Sequence, residues 1–171
     1  MPSIVFVCTA NICRSPVAAA LFADWLRQQP DAAAWQVSSA GTWADEGAPA
    51  STYSSEVLAT LGLDLSQHRS RRVDRAMVAA ADLVLCMTRS QREAMWADFP
   101  EFAGRIQLLS AMAGPAYDIA DPYGGPREGY VEMVADVRQL LLAGRPRILA
   151  LAGGPPKPAE PATQNVEQDQ K

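Results

Sequence analysis

Five residues lie between Cys8 and Arg14 in "VCTANICRSP", Val7 to Pro16, with Ser15 and Pro16 directly behind. The apolar run before Cys8 reads as a strand, and the residues after Arg14 read as the first turn of a helix. A loop of that length can curl around a tetrahedral oxyanion with its backbone N–H groups pointing inward. The helix N-terminus adds partial positive charge. Arg14 can offer its planar fork to two oxygens of the anion at once. The same field favours thiolate over thiol at Cys8. One loop can therefore bind a phosphate dianion and place a nucleophile beneath its phosphorus. Ser15 has two readings, an N-cap of the helix or a donor to the Cys8 sulfur. Asn11 belongs to a residue type that tolerates left-handed backbone and ties loops to their neighbours. A leaving alkoxide or phenolate also needs a proton. Asp121 in "DIADPYGG" is the candidate acid and base, with Asp118 as its rival. Pro122 stiffens that loop, and Gly124 and Gly125 allow a sharp turn.

The elements that must position these groups are legible as patterns. Residues 3–7, "SIVFV", are continuous, apolar and β-branched, as in a strand buried on both faces. Pro16 suits a first helical turn. Val17, Leu21, Trp25 and Leu26 then give an apolar helical stripe. Further strands are expected at 35–39, 83–87 and 105–109, and helices at 51–62, 74–82, 89–99 and about 128–143. Val57, Leu58 and Leu61 are spaced for one face of the second helix, and Gly62 stops it. Pro146 should end the last helix, which leaves 146–152 as an ambiguous apolar piece. Alternating strands and helices predict an α/β fold. The expected architecture is a doubly wound, four-stranded parallel sheet with helices on both faces.

The chain has 171 residues, enough for one domain over 1–150, followed by a Pro- and Gln-rich tail, 151–171, read as disordered. With 49% apolar and 20% charged residues the composition is that of a soluble globular protein. A net charge of −4 argues against a nucleic-acid binder. No apolar run approaches the roughly 18 residues of a membrane helix. The start carries no basic and apolar leader, so a cytoplasmic protein is expected, and it is expected to be a monomer. Three cysteines do not make a disulfide framework. One His and scattered carboxylates do not make a zinc site, and no cofactor is expected. Cys86 in "LVLCMT" reads as strand core. Arg69, Arg71, Arg72 and Arg75 read as a solvated face, with a docking patch for acidic partners as the alternative.

"VCTANICRSP" and "DPYGG", more than a hundred residues apart, together resemble the low-molecular-weight protein tyrosine phosphatases. "SSAGT" at 38–42, "HRSRR" at 68–72 and "ADLVLCMT" at 81–88 extend the likeness over about residues 1–145. The resemblance implies a Cys8 nucleophile that forms a phosphocysteine, Arg14 as phosphate-binding arginine and Asp121 as general acid and base. It implies a phosphate loop running through Thr9, Ala10, Asn11, Ile12, Cys13 and Ser15. It also implies a supporting polar network of Asn11, Ser15, Ser39 and His68, and a pocket wall from Trp43 and Tyr123. Cys13 aligns with a second cysteine that can form a reversible disulfide with the nucleophile. The family usually has Gly where this chain has Ala10. A positive φ there would cost Ala about 1 kcal/mol or more.

Ile12 bears on the substrate. In the family a branched apolar residue there resembles the tyrosine phosphatases, whereas Thr resembles the bacterial protein-arginine phosphatases, which share the DP-aromatic-Gly-Gly pattern. The expectation is phosphotyrosine on proteins, supplied by a bacterial tyrosine kinase, with phosphoarginine as the alternative. A thiol-dependent arsenate reductase would need two further cysteines after the loop, and only Cys86 remains. A non-catalytic phosphate-binding module has Ala10 as its only support.

Overall fold

The computed structural model describes residues 1–153. Most of the predicted tail lies outside them. Four strands form one parallel sheet in the order β2-β1-β3-β4: β1 Ser3–Cys8, β2 Gln36–Gly41, β3 Leu83–Cys86 and β4 Ile106–Leu108. Val5 is in register with Ser38 on one side and Val84 on the other. The helices are α1 Arg14–Arg27, α2 Thr52–Ala59, α3 Arg75–Ala80, α4 Arg89–Asp98, α5 Ser110–Ala113 and α6 Arg127–Leu151.

From Ile4 to Cys8, β1 is apolar and buried because it is central. Ile4, Phe6 and Cys8 face a core closed by α1, α2 and α6, while Val5 and Val7 face a second core closed by α3 and α4. The chain leaves β1 for β2 on one side and later returns to β3 on the other. The order therefore reverses at β1, and the crevice beyond the carboxyl end of that strand is where open α/β sheets bind ligands. Cys8 is the last residue of β1.

Several boundaries differ from expectation, each for a local reason. Helix α1 starts at Arg14 with Cys13 at the N-cap position and no side-chain cap, so Ser15 is not the cap. Its hydroxyl is taken by the site described below. Leu61 lies beyond α2 and is exposed, although Val57 and Leu58 are buried. It sits in the turn that follows Ala59 and is completed by Gly62, whose φ is 76°. Helix α6 does not stop before Pro146 but runs through it to Leu151. Proline removes one helical hydrogen bond there. Burial of Ile148 and Ala152 and a bond from Arg147 to the Ala111 carbonyl oppose that loss. The segment 146–152 is thus helix and turn packed on the core, not an extended piece.

Candidate active site

Cys8 is 2% exposed, and its Sγ lies 3.0 Å from Ser15 Oγ. Ser15 Oγ also accepts from Asn11 Nδ2 at 2.9 Å and donates to the Ala40 carbonyl at 3.3 Å. Asn11 is fully buried and has φ 56°, the one left-handed residue other than glycine among the described residues. Ala10 does not adopt positive φ, so its methyl group carries no backbone strain there. The Asn11 amide is fully committed. Nδ2 donates to Ser15 and to Ser39 Oγ (2.9 Å), and Oδ1 accepts from Arg71 N at 3.0 Å. The Asn11 carbonyl accepts from His68 Nε2 at 2.7 Å. Burial, with Arg69 and Arg71 nearby, holds the His68 pKa below its ordinary value, and its bond to Asn11 opposes this.

Gly41 closes β2 against the same loop. A Cβ there would run into the Thr9 carbonyl and come within 3.0 Å of Asn11 N. Only glycine permits that approach. Ile12 is half-buried and packs on the core beside α1, and its carbonyl accepts from Ser51 N.

Arg14 is 4% exposed. Its guanidinium donates to the Ile119 carbonyl at 2.9 Å and to Asp121 Oδ2 at 3.0 Å. The remaining Nε is buried and makes no hydrogen bond among the described residues. A buried donor left open in this way suits an incoming anion. The Asp121 loop is anchored from behind, since Ile119 is buried and bonds Met87 O. Asp118 points elsewhere, accepting from Arg89 N at the start of α4. Of the two candidate acids, Asp121 is therefore the one brought to Arg14. Tyr123, after Pro122, bonds Asp121 Oδ1 through its N–H and leaves its ring 69% exposed. Gly124 turns the loop with φ 77°. Trp43 donates its backbone N–H to the Thr9 carbonyl and leaves its side chain exposed.

Cys13 is buried, with its thiol against Ser51 Oγ (3.3 Å) and Tyr130 Oη (3.9 Å). Burial pushes its pKa up, and the nearby Asp121 and Cys8 add to this. Cys86 is fully buried, its pKa pushed up to about 12 by desolvation, which suits an inert core thiol.

Two supporting residues were not singled out from sequence. Gln91, buried in the first turn of α4, accepts through Oε1 from Met87 N and Thr88 N, so its Nε2 must face Thr9 Oγ1, 3.1 Å away. The Thr88-x-x-Gln91 spacing, a capping box, was the available signal. Arg71, read only as part of a charged face, secures Asn11 Oδ1 through its N–H and Ser39 O through Nε.

A thiol, a buried guanidinium and a carboxylate thus converge at a helix N-terminus, and that architecture has relatives. The family model described as "Low molecular weight phosphotyrosine protein phosphatase" matches residues 3–143, and the chain belongs to that family. The protein named "Probable low molecular weight protein-tyrosine-phosphatase EpsP" of Ralstonia nicotianae is 37% identical over 149 residues, covering 87% of this chain and 97% of that one. The protein-arginine-phosphatase of Geobacillus stearothermophilus is 40% identical over 128 residues, covering 74% and 82%. The solved low molecular weight protein tyrosine phosphatase of T. tengcongensis superposes with a TM-score of 0.78 at 34% identity, covering 86% of this chain and 99% of that one. The chain is accordingly a phosphatase of the hydrolase class, acting on phosphoproteins. No described helix is long and apolar enough to cross a membrane.

Proposed function

We propose that the protein hydrolyses phosphotyrosine on proteins in the cytoplasm, reversing the work of a tyrosine kinase. The observation that carries this reading is the buried Arg14 with its open Nε beside Cys8 at the helix N-terminus. In the first step the Cys8 thiolate attacks phosphorus. The P–O ester bond breaks, and its electron pair leaves with the phenolic oxygen, which takes the Asp121 proton. The phosphoryl group is then held on sulfur, its oxygens facing the loop N–H groups and Arg14. Water attacks phosphorus in the second step and gives a proton to the Asp121 carboxylate. The P–S bond breaks, the thiolate returns and inorganic phosphate leaves.

Ser15 has a single hydroxyl proton, and Asn11 already fills one of its acceptor positions. While Cys8 is a thiol, S–H can donate to Ser15 and Ser15 to Ala40 O. When Cys8 is thiolate or leaving group, the hydroxyl turns to the sulfur, 3.0 Å away. In this reading dianionic phosphate competes with Asp121 for Arg14 and releases the carboxylate for its proton transfers. Cys13 guards an oxidised Cys8 by forming a disulfide with it.

Phosphotyrosine is favoured because Ile12 is branched and apolar and the exposed rings of Trp43 and Tyr123 can flank a phenyl group. Phosphoarginine is the second reading, favoured by the 40% identity to a protein-arginine-phosphatase. The test is hydrolysis of p-nitrophenyl phosphate, phosphotyrosine peptide and phosphoarginine peptide by wild type, Cys8→Ser and Asp121→Ala. Cys8→Ser should lose turnover yet still bind phosphate. Asp121→Ala should be slow on poor leaving groups. A higher kcat/KM on phosphoarginine than on phosphotyrosine would replace the first reading by the second. An unimpaired Asp121→Ala beside a slow Asp118→Ala would overturn the acid assignment.

A further inference from the structure

The segment His68–Arg72 lies against the phosphate loop and carries charge that the reaction leaves unused. His68 and Arg71 both bond Asn11, Gly41 N donates to Arg71 O, and Arg72 bridges Gly41. The strap is therefore fixed to the floor of the site rather than swinging free. Its three arginines are exposed, and their guanidinium groups touch only neutral partners. Arg69 donates to the Ser66 and His68 carbonyls, Arg71 donates to the Ser39 carbonyl, and Arg72 lies 4.6 Å from the centre of the Trp43 ring. None of the three forms an ion pair among the described residues, whereas Arg75, just beyond, pairs with Glu101. Among the described residues one carboxylate, Glu46, bonds the strap, and it does so through the Arg72 backbone N–H. Three guanidinium groups against one carboxylate leave the strap positive on a chain whose net charge is −4.

The position of this charge matters. Trp43 is tied to Thr9, the residue after Cys8, so the Trp43–Arg72 stack stands at the edge of the phosphate loop. A phosphorylated residue reaching Cys8 has its chain neighbours passing over that edge. Carboxylates there would find planar donors whose charge is uncompensated.

We propose that Arg69, Arg71 and Arg72, with the Arg72–Trp43 stack nearest the loop, form a recognition surface for Asp and Glu side chains flanking the phosphorylated residue of a protein substrate. The proposal rests on the phosphatase reading of the site and adds a sequence preference to it. Rim charges of this kind act mainly on capture and its salt dependence, so the effect belongs in kcat/KM.

The experiment uses two phosphotyrosine peptides of equal length, one with Glu and one with Lys on both sides of the phosphorylated residue. The quantity read is the ratio of their kcat/KM values, in which any common effect on the chemistry cancels. Wild type should favour the Glu peptide. Arg72→Gln and Arg69→Gln should each shrink the ratio about two- to fivefold, the size of an exposed ion pair. The ratio should approach one near 1 M salt, where the screening length is about 3 Å. A wild-type ratio near one at low salt, or a ratio that both variants leave intact, overturns the proposal. If phosphotyrosine is not hydrolysed and phosphoarginine is, the substrate reading fails. The strap is then judged on phosphoarginine peptides with the same flanks.

Discussion

The floor of the site and its rim are built in opposite ways. On the floor, Asn11, Ser15 and Arg14 are polar and buried, and every Asn11 amide group is used by a neighbour from β2, α1 or the basic strap. On the rim, Trp43 and Tyr123 are 72% and 69% exposed; each is tied to the loops through its backbone N–H, and the Trp43 ring adds a stack with the exposed Arg72. Buried polar groups are costly unless satisfied, so the Asn11 network has one arrangement, and the open Arg14 Nε is the exception kept for an anion. Exposed rings have no such constraint. The floor therefore sets the chemistry together with the local stability. In the proposed reading the rim selects which phosphorylated side chain enters, and a change there should leave the fold undisturbed.

The sharpest way to break that contrast is Asn11→Gly. Glycine keeps the φ of 56° but removes three side-chain hydrogen bonds. Stability should fall by about 2–3 kcal/mol, since buried partners are left unpaired. Turnover of p-nitrophenyl phosphate should drop about a hundredfold, as when a preorganised anion-binding element is lost. Asn11→Ala should be worse by about 1–2 kcal/mol, because it adds left-handed strain. Urea unfolding and steady-state kinetics read both effects. Equal stability of Gly and Ala variants would mean that the backbone at this position relaxes freely.

Trp43→Ala tests the other side. KM for aryl phosphates should rise about three- to tenfold, the worth of one aromatic contact, with Tm unchanged and Trp43→Phe recovering most of the loss. A fall in Tm comparable to that of Asn11→Gly would show that the rim is structural and erase the distinction.

How far each region was legible follows from the same difference. The central strand, the parallel sheet and the helix after Arg14 were readable because burial on two faces and helical stripes leave periodic marks. Asn11 was readable as a loop residue suited to left-handed backbone. Ser15 kept two readings, because a serine at the start of a helix looks the same in sequence whether it caps the helix or turns to a cysteine; the structure turns it to Cys8. Pro146 was taken as a stop because its local cost is visible, while the packing of Ile148 that outweighs it is tertiary. Arg71 and Gln91 were overlooked for a related reason. Each supports the loop across a long sequence separation; the capping box marks Gln91 as a helix-start residue, but no local pattern reveals its reach to Thr9 or that of Arg71 to Asn11.

Gln91 and Thr9 offer an intermediate case, a buried amide that reaches the exposed edge of the loop. Thr9→Val keeps the shape and removes the acceptor. It should raise KM and the inhibition constant for inorganic phosphate about two- to fivefold, in line with the loss of one hydrogen bond. Thr9→Ser should restore both. Gln91→Met should add little in the Thr9→Val background, because the pair acts through one bond. Additive effects would show that Gln91 supports α4 alone, through Met87 N and Thr88 N.

The smallest effect expected concerns His68, which joins the floor to the strap. Burial and the neighbouring Arg69 and Arg71 hold its folded pKa below the unfolded value of about 6.5. As pH falls through that value, the unfolded chain takes up a proton that the native chain resists. Stability is therefore lost toward acid, the loss developing between about pH 6.5 and the lower native pKa. Above that window the neutral ring carries no such penalty. His68→Gln keeps a side-chain N–H for the Asn11 carbonyl but has nothing to titrate. The difference in Tm between wild type and His68→Gln should thus move against wild type as pH is lowered from about 7.5 to 5, and lie flat above about 7.5. Parallel Tm curves over the whole range would mean that the His68 ring feels neither its burial nor its arginine neighbours. Floor and strap would then be electrostatically independent.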